Sequence, residues 1–243
     1  MRRNLTLLII LILFTSCSTD DNEGSIVKAT DTIEEVLSNP DAELTETEEE
    51  FEKYIEFDVD EEQVLVDISK VPILYDFLRI QQNPSRAIQK MNVEKLEIEQ
   101  QNIYILSFSC MKERCSYLLF HQDQSKSAFL VADMAKFINV FISPNQSKIA
   151  LQFNRAGDEA IPLSDLIVFD IYNWQPLSLK SDETTTNILN YTWPFVAVEW
   201  VDDEQIAISI PELIEPYKEP YEEFTSTEGN SVDIVTFEIY NND

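Results

Sequence analysis

The sequence predicts a mainly β domain of α+β type: an antiparallel meander with an open edge, preceded by one or two helices. Three observations predict it. Beyond residue 94 apolar residues recur with a period of two, in short runs rich in β-branched and aromatic side chains. Those runs are divided by turn formers such as Pro144-Asn145, Tyr172-Asn173 and Asp202-Asp203. Just before them, a stretch over residues 69–82 carries the spacing of a helix, with Val71, Ile73, Leu74, Phe77, Leu78 and Ile80 on one side.

The chain opens with a positive region, Met1-Arg2-Arg3-Asn4, followed by an uncharged apolar run over residues 5–14. As a helix that run is about 15 Å long, half of the roughly 30 Å hydrocarbon core of a bilayer. It is too short for a permanent span and has the form of a cleaved export signal, residues 1–16, with small residues Thr15 and Ser16 before Cys17. Phe14-Thr15-Ser16-Cys17 resembles the lipobox of bacterial lipoproteins. That resemblance implies that Cys17 becomes the first mature residue and carries a diacylglycerol. No cofactor beyond this covalent lipid is expected. The protein would sit at the cell membrane, lipid-anchored and facing outside the cytoplasm, where two or more acyl chains give stable attachment. The chain as a whole resembles lipoproteins of low-GC Gram-positive bacteria.

Residues 17–63 read as an acidic tether. Glu46, Glu48, Glu49, Glu50 and Glu52 are followed by Asp58, Asp60, Glu61 and Glu62, a composition of high charge and low hydrophobicity that leaves much of the segment unable to offset chain entropy. Within it, a helical piece starts at Asp31, and another from Thr45 would place Phe51, Tyr54 and Ile55 on one face. Residues 64–243 form the predicted head. Its helix over 69–82 tolerates Pro72 in the first turn, and 84–91 adds a second short helix. Strands follow over 95–100, 103–110, 115–121, 127–132, 137–142, 148–154, 165–171, 175–179, 195–201, 205–210 and 232–240.

A faint repeat runs through the strands. Phe141-Ile142-Ser143-Pro144-Asn145-Gln146-Ser147-Lys148 has the order strand, turn, strand, and the order returns at Glu199-Trp200-Val201-Asp202-Asp203-Glu204-Gln205. The first segment resembles the Ser-Pro-Asp-Gly-Lys turn of TolB-type and WD-repeat β-propeller blades, with Asn145 and Gln146 replacing Asp and Gly. Two blades and a fragment fit residues 95–240. A ring needs about four or more, so the resemblance implies propeller-like blades in an open array; a plain meander or sandwich is the alternative. An open edge would also allow oligomers.

Composition excludes several functions. The chain has 17 Lys and Arg against 45 Asp and Glu, a formal charge of −28, and loss of Arg2 and Arg3 makes the mature chain more acidic still. Nucleic acid is not an expected partner. The three glycines, Gly24, Gly157 and Gly229, lie far apart and cannot build a phosphate loop, a dinucleotide turn or a nucleophile elbow. His121 is the only histidine, so any Ser-His-Asp or Cys-His arrangement must use it, and it stands at a strand end. No catalytic residue and no metal site are predicted. Asp58-Val59-Asp60-Glu61-Glu62 and Asp202-Asp203-Glu204 lack the EF-hand pattern.

Cys110 and Cys115 flank Met111-Lys112-Glu113-Arg114, read as a four-residue hairpin loop that sets the two sulfurs across from each other. Outside the cytoplasm such a pair forms a disulfide, stabilising by about 2 kcal/mol on the loop-entropy model. Trp174, Trp193 and Trp200, with Tyr172, Tyr191 and Phe195, cluster in sequence; Trp174, Tyr191, Trp193, Trp200 and Tyr217 make a candidate binding surface, set against the alternative of core packing. The expected function is a membrane-anchored binding or assembly module with an envelope protein or glycan as partner; the alternative is a carboxylate-based glycan hydrolase of the cell envelope.

Overall fold

The computed structural model describes residues 53–123, 125–155, 161–181, 187–212 and 231–241. It opens with β1 (Tyr54–Val59) and β2 (Glu62–Asp67), an antiparallel hairpin in the register Tyr54↔Asp67 to Val59↔Glu62. Asp60 and Glu61 both take positive φ, 46° and 69°, the left-handed pair that suits a two-residue turn to the strand twist. The expected limit between tether and head at 63/64 falls inside this hairpin, so the structured part begins earlier. Tyr54 and Ile55 are in a strand and not on a helix; Phe51 lies outside the described residues. The reason is an alternation masked by the acids: Ile55 and Val59 are buried, while Glu56 and Asp58 point to water.

Asp67 caps a short 3-10 turn (Ile68–Lys70) by accepting from the Ser69 amide at 3.1 Å. α1 (Pro72–Arg79) starts with proline in its first turn and buries Leu74 and Leu78, one turn apart. It is shorter than the 69–82 expectation, and Ile73 and Ile80 face outward, Ile80 at 75% exposure. α2 (Pro84–Ile88) is capped by Asn83, whose Oδ1 accepts from the Arg86 amide at 2.9 Å.

The rest is mainly β and antiparallel. β3 (Asn92–Lys95), β4 (Ile103–Met111), β5 (Arg114–His121), β6 (Phe129–Ile142), β7 (Lys148–Arg155), β8 (Leu163–Asp170), β9 (Gln175–Lys180), β10 (Ala197–Trp200), β11 (Gln205–Pro211) and β12 (Val232–Asn241) form one ten-stranded sheet. The order is β10-β11-β12-β9-β8-β7-β6-β5-β4-β3. It is a meander from β3 to β9; a crossover then carries the chain to the far edge, and β10 to β12 return to pair with β9. The ladder does not close. β3 lies earlier than the expected strand at 95–100, whose Leu96 and Ile98 are instead buried in a connection. The expected strands 127–132 and 137–142 are one strand, β6. It bends near Met134, φ 48°, and changes partner there: Ala135 pairs with Cys115 of β5, Lys136 with Asn154 of β7. Asp133 and Met134 read as a break in the sequence because a bulge interrupts the alternation.

Three apolar clusters hold the folded sheet. One lies between the β1–β2 hairpin, α1 and one face of β4–β5, and includes Val64, Leu74, Leu78, Tyr104 and Leu106. The second lies on the other face of β4–β5, against β7–β8, around Leu119, Leu151, Phe153 and Phe169. The third lies on β7–β12 around Val168, Ile206, Ile208 and Phe237. β4 and β5 are therefore covered on both faces, which is why Ile103-Tyr104-Ile105-Leu106 runs apolar without alternating.

Candidate functional site

The residues of the predicted aromatic surface do not share one face. Trp174 is 8% exposed and belongs to the core: its indole Nε1 donates to the Ser127 carbonyl at 2.6 Å, and its ring meets Phe169 edge-on at 4.9 Å. This corrects the expectation of a surface role; Trp174 also holds φ 54° in the β8–β9 turn. Trp200, on the edge strand β10, is half-buried against the third cluster, and its Nε1 is buried with no hydrogen-bond partner among the described residues. Tyr191 and Trp193 are neighbours in the β9–β10 crossover, the Ser164 amide donating to the Trp193 carbonyl at 2.8 Å. Tyr217 and Cys17 lie outside the described residues.

Tyr191 belongs to a polar cluster that the sequence did not signal. The Arg155 guanidinium lies 3.9 Å from the centre of its ring and donates to the Asp133 carbonyl. Beneath it, buried Asp165 accepts from the Leu166 and Asn190 amides, each at 2.9 Å. Burial pushes the Asp165 carboxyl above its usual pKa, while the two amides and Arg155 pull the other way. Burial, helped by the Asp165 charge, pushes the Tyr191 phenol up to about 12. Asn190 and Tyr191 are consecutive left-handed residues, φ 59° and 60°. The arrangement clamps the crossover onto β8. Asp165 Oδ1 already serves two amides, so its chemistry is that of an anchor.

His121 is similarly engaged. Its Nδ1 accepts from the Asp123 amide at 2.8 Å and its ring meets Trp174 edge-on at 5.6 Å. Burial, with Lys126 adding to it, lowers its pKa. The acidic turns also have partners. Asp202 accepts from the Glu204 amide at 2.7 Å, Asp203 from the Asn145 amide at 2.9 Å, and Glu62 pairs with Lys95 at 3.2 Å. Among the described residues no group of three or more His, Cys, Asp or Glu is placed to hold a metal ion.

Cys110 and Cys115 form a disulfide, with Cα atoms 4.0 Å apart. The hairpin is tighter than the four-residue loop expected: Met111 pairs with Arg114, leaving Lys112 and Glu113 as the turn. A bulge at Ser109 and Cys110 restores the match, two residues opposing Cys115 alone, with Ser109 at φ 53°.

Beside the disulfide opens a cleft of about 670 Å³. Its walls are the α1–α2 link (Ile80, Gln81, Gln82, Asn83), the outer side of α2 through Lys90 (Arg86 among them), and the end of β4 with Cys110 and Met111. Ile80 and Met111 are exposed, at 75% and 60%. No carboxylate lines it. Neither Arg86 nor Lys90 has an ion-pair partner among the described residues. No helix among those residues is long and apolar enough to cross a membrane.

Comparison with protein-family models, with curated proteins and with solved structures found no match to this chain.

Proposed function

We propose that the protein is a binding or assembly module held at the outer side of a cell membrane by lipid on Cys17, with an envelope protein or glycan as its partner. The observation that carries this is the division of the three cysteines. Cys110 and Cys115 are bridged, chemistry that persists in an oxidising space. Cys17 is left over, directly after a positive start, an apolar run and two small residues. A covalent anchor accounts for membrane residence in a chain of charge −28, whose surface anionic headgroups repel. The blade-like reading of residues 95–240 is part of the proposal. It rests on the two repeat turns, and the open edges at β3 and β10 are where a second chain would extend the sheet.

The test is metabolic labelling with an alkyne-bearing palmitate in bacteria producing the full chain. Labelled protein in the membrane fraction, and loss of label with release of the protein in Cys17→Ser, is the expected result. Unlabelled wild-type protein, or free Cys110 and Cys115 thiols trapped by alkylation before lysis, overturns it.

A further inference from the structure

We propose that the cleft between α1, α2 and the disulfide end of β4 binds an acidic peptide segment of a partner protein, a step that rests on reading the protein as a binding module. Arg86 and Lys90 take its carboxylates; Ile80 and Met111 take its apolar side chains.

Charge selects the occupant. No Asp or Glu stands between Asp76 and Glu94, although the chain holds 45 of them. Another acid-free stretch, residues 134–157, is largely sheet, and its cations are engaged: Lys136 with Glu113 at 2.9 Å, Lys148 with Glu204 at 3.3 Å, Arg155 with the Asp133 carbonyl. Arg86 and Lys90 differ in facing a cleft without carboxylates. In so acidic a molecule an acidic ligand is repelled elsewhere and admitted here.

The walls favour a peptide over other anions. Gln82 offers an amide group that matches peptide N–H and C=O, whereas Gln81 Nε2 already donates to the Phe77 carbonyl at 3.1 Å and Asn83 Oδ1 accepts from the Arg86 amide. Met111, 60% exposed, is the kind of adaptable side chain found on peptide-binding surfaces, while Met91 at the cleft floor belongs to the core. A compact phosphate finds no amide cradle: Pro84 brings no N–H, and the Arg86 amide is taken by Asn83. A sugar ring would find one aromatic side chain there, Phe77, which is partly buried and already meets Phe108 at 5.3 Å. The volume lies in the range of about 300–1,000 Å³ that suits a small ligand or a few side chains.

The experiment is selection from a random phage-displayed peptide library against the detergent-solubilised full chain, followed by fluorescence anisotropy with the synthetic consensus peptide. Enriched peptides carry Asp or Glu beside large apolar residues. The consensus binds Arg86→Glu/Lys90→Glu about tenfold more weakly, and Lys180→Glu, outside the cleft, as wild type. Arg86→Gln/Lys90→Gln, with an unchanged melting temperature, weakens it in the same direction. No enrichment, enriched peptides without acids, or unchanged affinity in the reversed variant overturns the proposal. So does capture of phosphatidylglycerol vesicles through Arg86 and Lys90 in place of peptide, which would make the cleft a membrane contact. Palmitate labelling of the same variants separates the two readings: lost peptide binding with Cys17 still labelled removes the cleft alone.

Discussion

Asp165 places a carboxyl where the fold resists a charge. It is 8% exposed at the start of β8, and burial outweighs its two amide donors and Arg155, so its pKa in the fold lies above 3.8. The unfolded chain therefore releases this proton first as pH rises. Above pH of about 3.8 the unfolded state binds fewer protons than the folded state, and stability falls until the folded carboxyl also ionises. The loss then persists at neutral pH. Asp165→Asn keeps an oxygen for the Leu166 and Asn190 amides and removes the charge. Its melting temperature is expected to exceed that of wild type at pH 7, with the difference gone near pH 3, where both side chains are neutral. Thermal melts across that window check it, and a variant less stable than wild type at pH 7 would show that attraction to Arg155 outweighs burial.

At the scale of elements, the turns of the β1–β2, β4–β5 and β6–β7 hairpins hold no glycine. Gly24, Gly157 and Gly229 all lie outside the described residues, so Asp60, Glu61, Lys112 and Gln146 hold left-handed backbone with a Cβ in place. In the β6–β7 turn the hydrogen bonds are complete: the Gln146 amide donates to the Ser143 carbonyl at 2.8 Å, and Asn145 Oδ1 accepts from the Ser147 amide at 2.8 Å. What remains is the steric cost of φ 57° at Gln146, about 1–2 kcal/mol for a side-chain-bearing residue. Gln146→Gly removes it and adds freedom to the unfolded chain, for a net gain of about 0.5–1 kcal/mol. Urea unfolding of the two proteins measures this; a loss of stability would mean the Gln146 side chain makes a compensating contact. The same elements show what was legible. β4, β5, β7 and β8 lie near their expected limits because their apolar runs are long and end at turn formers. β1 is hidden in the sequence because alternating Glu and Asp make its outer face look like tether. β6 is expected as two strands because the bulge at Met134, next to the charged Asp133, shifts the alternation in mid-strand. Aromatic residues could not be sorted by sequence, since Trp174 in the core and Trp193 in a crossover have similar surroundings along the chain. The cleft was illegible for a topological reason: Arg86 and Lys90 look like ordinary surface cations until β4 brings Cys110 and Met111 beside them.

The whole molecule sets one long sheet against its own charge. Lys148 ties the two repeat turns together, its Nζ donating to the Asp203 carbonyl at 2.8 Å and meeting Glu204 at 3.3 Å, with 12% of its side chain exposed. Among the described residues such ties are few, in a chain of 45 carboxylates and 17 cations. Added salt acts on both. It screens exposed pairs such as Lys136–Glu113, which contribute little, and it screens the repulsion summed over the surface, which opposes compaction. The second effect is larger because the excess of acids is spread over the chain. The melting temperature is therefore expected to rise with NaCl. The rise should be steepest between about 0.01 M and 0.1 M, where the screening length shrinks from roughly 30 Å to 10 Å and repulsion across the sheet is cut off. It should flatten beyond that, when only near neighbours still interact. A neutral osmolyte at matched osmolality serves as the control for surface exclusion. A melting temperature that is flat or falls over the low-salt range would mean that close ion pairs, and not net repulsion, dominate the electrostatics of this fold.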